Sequence, residues 1–159
     1  MKALVIYFSQ TGHTGRFAQM IATKLTAAGH SADMFELKTS EPVDMKAVPK
    51  PEAIRLQAIP QAAGYDLVCI GTPVWAFRPA PFALKALQQM TDLKAKKIVP
   101  FVTMGLPFAC MGGTASLSKM AKLALDKGAI PQKGAIITQM FSHPELQMSR
   151  EAERISHLI

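Results

Sequence analysis

Apolar runs without alternation recur along the chain, each followed by a turn and then by a stretch with helical spacing. Residues 2–8 form the first such run and predict a strand buried on both faces. From about 14 to 28, Phe17, Ile21, Leu25 and Ala28 share one helical face, and Gly29 suits the end of that helix. Residues 31–37 alternate, as expected of a strand nearer a sheet edge. Asp66 to Gly71 is another buried strand, running into Thr72 through Pro79 and then a helix from about 81 to 90. Residues 97–103 predict a fourth strand, 104–113 a loop, and 114–127 a helix closed by Gly128. A fifth strand over about 134–140 leads to a last helix, capped by Ser142 and started by Pro144.

Only 38–63 resists this pattern. Pro42, Pro49, Pro51 and Pro60 interrupt it, leaving room for a short helix near Glu52 to Ala58. No chemistry is assigned to it, although connections this long often cover a site. The rest alternates strand and helix, which predicts a parallel sheet covered on both faces. Right-handed crossovers bring the loops after strands one, three and four to one edge. With strand order 2-1-3-4-5, ligands bind where the order reverses, between strands one and three.

The turn at that point runs Ser9-Gln10-Thr11-Gly12-His13-Thr14-Gly15. It offers hydroxyls, glycines and no acid between a buried strand and a helix N-terminus. Backbone N–H groups there can wrap a phosphate, and the helix dipole favours its charge. A plain polar connection with Thr11 as cap would use the same residues. The turn lacks the lysine of nucleotide-hydrolase loops and the first two glycines of the dinucleotide fingerprint, so a phosphorylated cofactor is the simplest ligand.

The 159 residues suffice for one domain, 1–159, with a full core. No apolar run approaches the ~20 residues of a membrane span, and the first strand begins at Lys2 with no signal-peptide h-region, so the cytoplasm is expected. Cys69 and Cys110 have no metal or redox spacing, Cys69 reads as a core residue, and the histidines lack zinc spacing. The formal charge of +7 is spread along the chain, and aromatic residues are not interleaved with basic ones, which argues against nucleic acid. Such a surface favours anionic partners or substrates.

Taken together, the residues resemble the flavodoxin family. Tyr7 to Thr14 is similar to its Ser-x-Thr-Gly-x-Thr phosphate loop, Ile70 to Trp75 to its ring-facing loop, and Val102 to Gly105 with Gly112-Gly113 to its third loop. The resemblance implies a three-layer α/β sandwich around a five-stranded parallel sheet of order 2-1-3-4-5, with FMN as cofactor. It assigns Ser9, Gln10, Thr11, Gly12, His13 and Thr14 to the FMN phosphate, with His13 where the family often has Asn. Thr72, Pro73, Val74, Trp75, Ala76 and Phe77 would form the ring-facing loop, with Trp75 stacked on the isoalloxazine. Thr103, Met104 and Gly105 would offer backbone groups to the ring's polar edge, and Phe108 would cover part of it.

The implied function is electron transfer between redox partners, a protein or a small donor or acceptor, with no catalytic residue, no metal and no membrane insertion. An NAD(P)H-dependent FMN reductase acting on quinones or similar acceptors is the alternative, favoured by Arg78 and an apolar lip of Phe77, Phe108 and Met111. A non-redox binding module is the third reading.

Two departures bear on mechanism. Ala76 stands near a place where the family's carriers use a glycine whose peptide turns over toward the half-reduced ring. Ala76, Phe77 and Arg78 lack that freedom, because a positive φ costs a residue that carries a Cβ, so weak stabilisation of the half-reduced, neutral flavin is expected. Family carriers are also acidic around the ring, which raises the energy of the reduced anion. Here the Trp75 and Met104 loops contain no Asp or Glu. A redox titration should therefore give a couple to the fully reduced flavin less negative than in an acidic carrier. A midpoint as low as theirs would contradict this.

Overall fold

The computed structural model describes residues 1–44 and 47–159; residues 45 and 46, inside the unassigned 38–63 stretch, lie outside the described residues. The elements follow the predicted alternation. They are β1 (Lys2–Tyr7), α1 (His13–Ala27), β2 (Ser31–Glu36), β3 (Leu67–Trp75), β4 (Arg78–Pro79), α2 (Pro81–Gln89), β5 (Lys97–Met104), α3 (Gly113–Asp126), β6 (Ile130–Pro131), β7 (Ala135–Thr138) and α4 (Pro144–Ser156). The sheet runs β2-β1-β3-β5-β6, with β7 also paired to β5 and β4 appended to β3. Except for the antiparallel β3–β4 pair, these pairings are parallel.

The unalternating runs are explained by two cores, one on each face. Ala3 and Val5 of β1, with Cys69 and Phe101, pack toward α1 and α4. Leu4 and Ile6, with Val68, Ile70 and Val102, pack toward α2 and α3. Each strand residue is thus apolar whichever face it points to. Burial pushes the Cys69 thiol up to about 12, so it is a protonated core side chain at neutral pH. Gly71 is required by packing: a Cβ there would lie 1.9 Å from the Phe101 ring.

Four expectations need correction. The fifth strand is not continuous over 134–140 but split into β6 and β7. Gln132 donates its N–H to the Ile98 carbonyl. With the period of two along a strand, residue 100 of β5 faces the same neighbour, and Pro100 has no N–H to give it. The ladder therefore lapses at Pro100 and resumes at Phe101, opposite Ala135.

The short helix near 52–58 is only a 3₁₀ turn, Pro51–Ala53. Ile54 is already extended, and Thr39 pairs with Leu56 in an isolated antiparallel bridge. Hydrogen bonds from Ser40 N to Arg55 O (2.9 Å) and from Gln57 N to Lys38 O (2.8 Å) close the loop, while Ile54 is buried in the core. Ser142 does not cap α4. Its hydroxyl donates to the Thr138 carbonyl at 2.6 Å, and the residue before the helix is His143. Nor does Thr11 cap α1. Gly12, with φ 92°, occupies that position.

Candidate functional site

At the carboxyl edge of the sheet, the chain leaves β1 through Phe8 to Gly12 and enters α1 at His13. Gly12 lies in the left-handed region, where a Cβ would be strained, and turns the backbone sharply into the helix. Gly15 lets that helix sit close to β1, since a Cβ there would come within 3.2 Å of the Tyr7 ring. Gly15 N donates to Ser9 Oγ at 3.1 Å, and Arg16 N donates to Gly12 O at 2.9 Å. Ser9 accepts in this bond, so its own proton is left to donate.

The backbone N–H groups of Gln10, Thr11, Gly12, His13 and Thr14 have no protein acceptor among the described residues. No acid occupies the first turn of α1, so the helix dipole there is uncompensated. Nearby, Arg16 pairs with Glu145 at 2.6 Å. Backbone donors and the exposed side chains of Thr11 and His13 thus form a cradle of a kind suited to an anion. The Thr14 hydroxyl has another partner: it is buried and bonded to Thr103 Oγ1 at 2.7 Å, tying the first turn of α1 to the end of β5.

The second loop differs from expectation. β3 runs on through Thr72, Pro73 and Val74 to Trp75, then folds back so that Trp75 pairs with Arg78 and Val74 with Pro79. Of the two-residue turns that match the strand twist, one holds both central residues at positive φ. Ala76 and Phe77 accordingly adopt φ 47° and 64°, contrary to the sequence reading. Strand pairing has overridden the local preference of residues that carry a Cβ, a cost of about 1–2 kcal/mol each. Thr72 is fully buried and its hydroxyl donates to the Ala80 carbonyl at 3.3 Å, so its side chain serves the hairpin interior.

Trp75 is half-buried, with its ring nearly perpendicular to Phe8 (centroids 5.8 Å apart) and Phe82 (5.5 Å). Phe8 and Phe82 stack on each other at 3.8 Å. The indole is therefore fixed by edge-to-face contacts at the top of the α2 side of the sheet. Behind the hairpin turn lies Gly112. A Cβ on it would fall 2.6 Å from the Phe77 Cα, so the β5–α3 loop and the hairpin meet there in close contact.

Along the β5–α3 loop, Thr103 and Met104 are buried and Gly105 is exposed with open space where a Cβ would stand. Phe108 is exposed, and Met111 N donates to the Phe108 carbonyl at 3.0 Å. A further loop, after β7, was not assigned to the site from sequence. Gln139 N donates to Met104 O at 3.0 Å and Met140 N to Gly105 O at 3.1 Å, binding this loop to its neighbour. It carries Phe141 at φ 55° and 93 % exposed. The signal was present: Met140-Phe141 follows a strand whose crossover also ends at this edge. Phe77, Phe108, Met140 and Phe141 thus give the edge exposed apolar groups.

Burial, with Glu36 adding to it, raises the Tyr7 phenol above its ordinary value, leaving a neutral hydroxyl below the cradle. Among the described residues, no group of three or more His, Cys, Asp or Glu could hold a metal, and no helix is long and apolar enough to cross a membrane.

A family model described as flavodoxin matches residues 2–145. No curated protein matches the chain. Among solved structures, oxidised flavodoxin 2 from Bacillus cereus is 21% identical, with a TM-score of 0.67 and full coverage of both chains. A flavoprotein from Lactobacillus acidophilus solved in complex with FMN is 24% identical, with a TM-score of 0.64 over 85% of this chain and 92% of that one. A candidate flavoprotein from Bacteroides eggerthii is 22% identical, with a TM-score of 0.71 and 98% coverage of each chain.

The strained turn makes a direct prediction. Replacing Ala76-Phe77 by Asn-Gly, residues suited to two consecutive positive φ values, should raise stability to chemical denaturation by about 1–2 kcal/mol. No gain, or a loss, would mean that Ala76 and Phe77 do not hold these angles in solution.

Proposed function

The chain belongs to the flavodoxin family, and from that premise we propose that it binds FMN and transfers electrons between redox partners. The observation that carries this reading is the run of N–H groups from Gln10 to Thr14 without protein acceptors, at a helix N-terminus free of acids. Such a donor set fits a phosphate monoester, because several charge-assisted hydrogen bonds converge without any group that must first be desolvated and neutralised. Ser9, Gln10, Thr11, Gly12, His13 and Thr14 would hold the phosphate, with Ser9 and Thr11 adding hydroxyl donors. Thr14 would contribute mainly through its N–H, since its hydroxyl is engaged with Thr103.

Thr72, Pro73, Val74, Trp75, Ala76 and Phe77 would flank the ring through the hairpin. The indole of Trp75 and the exposed ring of Phe77 are the side chains suited to apolar contact. Thr103, Met104 and Gly105 would meet the ring's polar edge through backbone groups, with Phe108 beside it. Bound flavin would supply the one- and two-electron chemistry, and the chain's own task would be to bind, orient and screen it. No side-chain acid or base is required.

A second reading, reduction of quinones or similar acceptors with NAD(P)H as donor, is favoured by the exposed apolar groups Phe77, Phe108 and Phe141 at the same edge. Sustained NAD(P)H oxidation without a partner reductase would support it. Reduction only through a partner protein would support the carrier.

The purified protein, supplemented with FMN if colourless, should have flavin absorption bands and quenched flavin fluorescence. Riboflavin, which lacks the phosphate, should bind at least about 100-fold more weakly, corresponding to the loss of one or two charge-assisted hydrogen bonds. Failure to bind FMN, or equal affinity for both, would overturn the proposal.

A further inference from the structure

On the flank of the β3–β4 hairpin lies a cavity of about 260 Å³. Trp75, Pro79 and Leu84 form one side of it, and Pro49 and Pro51 of the 38–63 stretch form the other. These walls are apolar and stiff, since prolines and a packed indole lose little freedom when a ligand enters. Three cations border it: Lys50, Arg78 and Lys119. None of them has an ion pair among the described residues, and no Asp or Glu among those residues lines the cavity. A second cavity of about 370 Å³ shares Pro51, Leu84 and Lys119, and Glu52, Lys122 and Asp126 also line it. Lys50 and Arg78 thus line the cavity that Trp75 walls, while Glu52 and Asp126 line only the second one.

Apolar walls with a few convergent charges are the ordinary composition of a small-molecule site, and the cavity of about 260 Å³ lies just below the usual size of about 300–1,000 Å³. The chemistry selects the ligand. An indole and proline rings favour a flat aromatic body, while three uncompensated cations favour an anionic substituent and disfavour a cationic one. We infer that this cavity is a binding site for a planar aromatic anion, such as an aryl sulfonate or carboxylate. The inference does not rest on flavin binding. The cradle at Gln10 to Thr14 contributes none of the lining residues. Although Trp75 and Ala76 also belong to the hairpin proposed to flank the flavin ring, Lys50, Pro51, Leu84 and Lys119 have no place in that site, so the sulfonate should still bind after FMN has filled it.

Trp75 is the only tryptophan, so its single indole N–H resonance reports on this wall, and the shift caused by the sulfonate is read against the flavin-free and the FMN-saturated spectrum in turn. Naphthalene-2-sulfonate titrated into ¹⁵N-labelled protein should shift that resonance saturably, both without flavin and after saturation with FMN. A variant with Lys50→Gln, Arg78→Gln and Lys119→Gln should bind the sulfonate at least about tenfold more weakly, because each exposed charge contributes modestly and the three act together. Its affinity for neutral 2-naphthol should be almost unchanged, and the substituted side chains are all exposed, so its amide spectrum should remain that of the folded protein. An unshifted indole resonance would overturn the inference. So would undiminished sulfonate binding by the variant, or displacement of the sulfonate by FMN, which would locate it in the crevice instead. If FMN fails to bind while the sulfonate binds as described, the flavin proposal fails and this site stands.

Discussion

One buried bond joins the two halves of the candidate site. Thr14, in the first turn of α1, and Thr103, at the end of β5, share a hydroxyl–hydroxyl hydrogen bond of 2.7 Å, although 89 residues separate them in sequence. Both side chains are buried, so either hydroxyl left alone would cost about 1–3 kcal/mol. The pair therefore fixes where the helix begins relative to the sheet edge. That position determines which way the N–H groups from Gln10 to Thr14 point. Gly12 and Gly15 make the approach possible, one by its positive φ and the other by its lack of a Cβ against Tyr7.

Around this joint the molecule accepts strain where a surface is built and avoids it in the core. Among the described non-glycine residues at positive φ, Ala76, Phe77 and Phe141 are exposed at the carboxyl edge, while Asp92 and Ala95 are exposed in the turn between α2 and β5. The hairpin is held by pairing of Val74 and Trp75 with Pro79 and Arg78, and by Gly112 packed behind Phe77. The Phe141 turn is held by Thr138, Ser142 and Gln147, which bond among themselves and to the local backbone. Strain of this kind persists only where the surroundings over-determine the backbone, and it concentrates at binding edges. The same hairpin presents Trp75 to the flank cavity, so one stiff element could serve two neighbouring ligands.

Much of this was legible in the residues. The unalternating runs at Ala3 to Ile6 and Leu67 to Ile70 announced strands covered on both faces, and the two cores bear that out. Ser9 to Gly15 announced a polar turn into a helix, because local chemistry at a helix N-terminus is written in neighbouring residues. What was hidden depended on partners far away in sequence. Strand pairing, not local preference, turned Ala76 and Phe77 left-handed. The missing N–H of Pro100 divided a strand thirty residues downstream. The Thr39–Leu56 bridge replaced a short helix, and Ser142 found the Thr138 carbonyl instead of a helix end.

In the proposed function, the free N–H groups of Gln10 to Thr14 receive the phosphate of a flavin nucleotide. The most direct measurement is a ¹H–¹⁵N correlation spectrum recorded with FMN and again with riboflavin. The account predicts that FMN moves the amide resonances of Gln10 to Thr14 strongly downfield, as charged acceptors do, while riboflavin leaves them near their starting positions. Unmoved amides in the presence of bound FMN would contradict it.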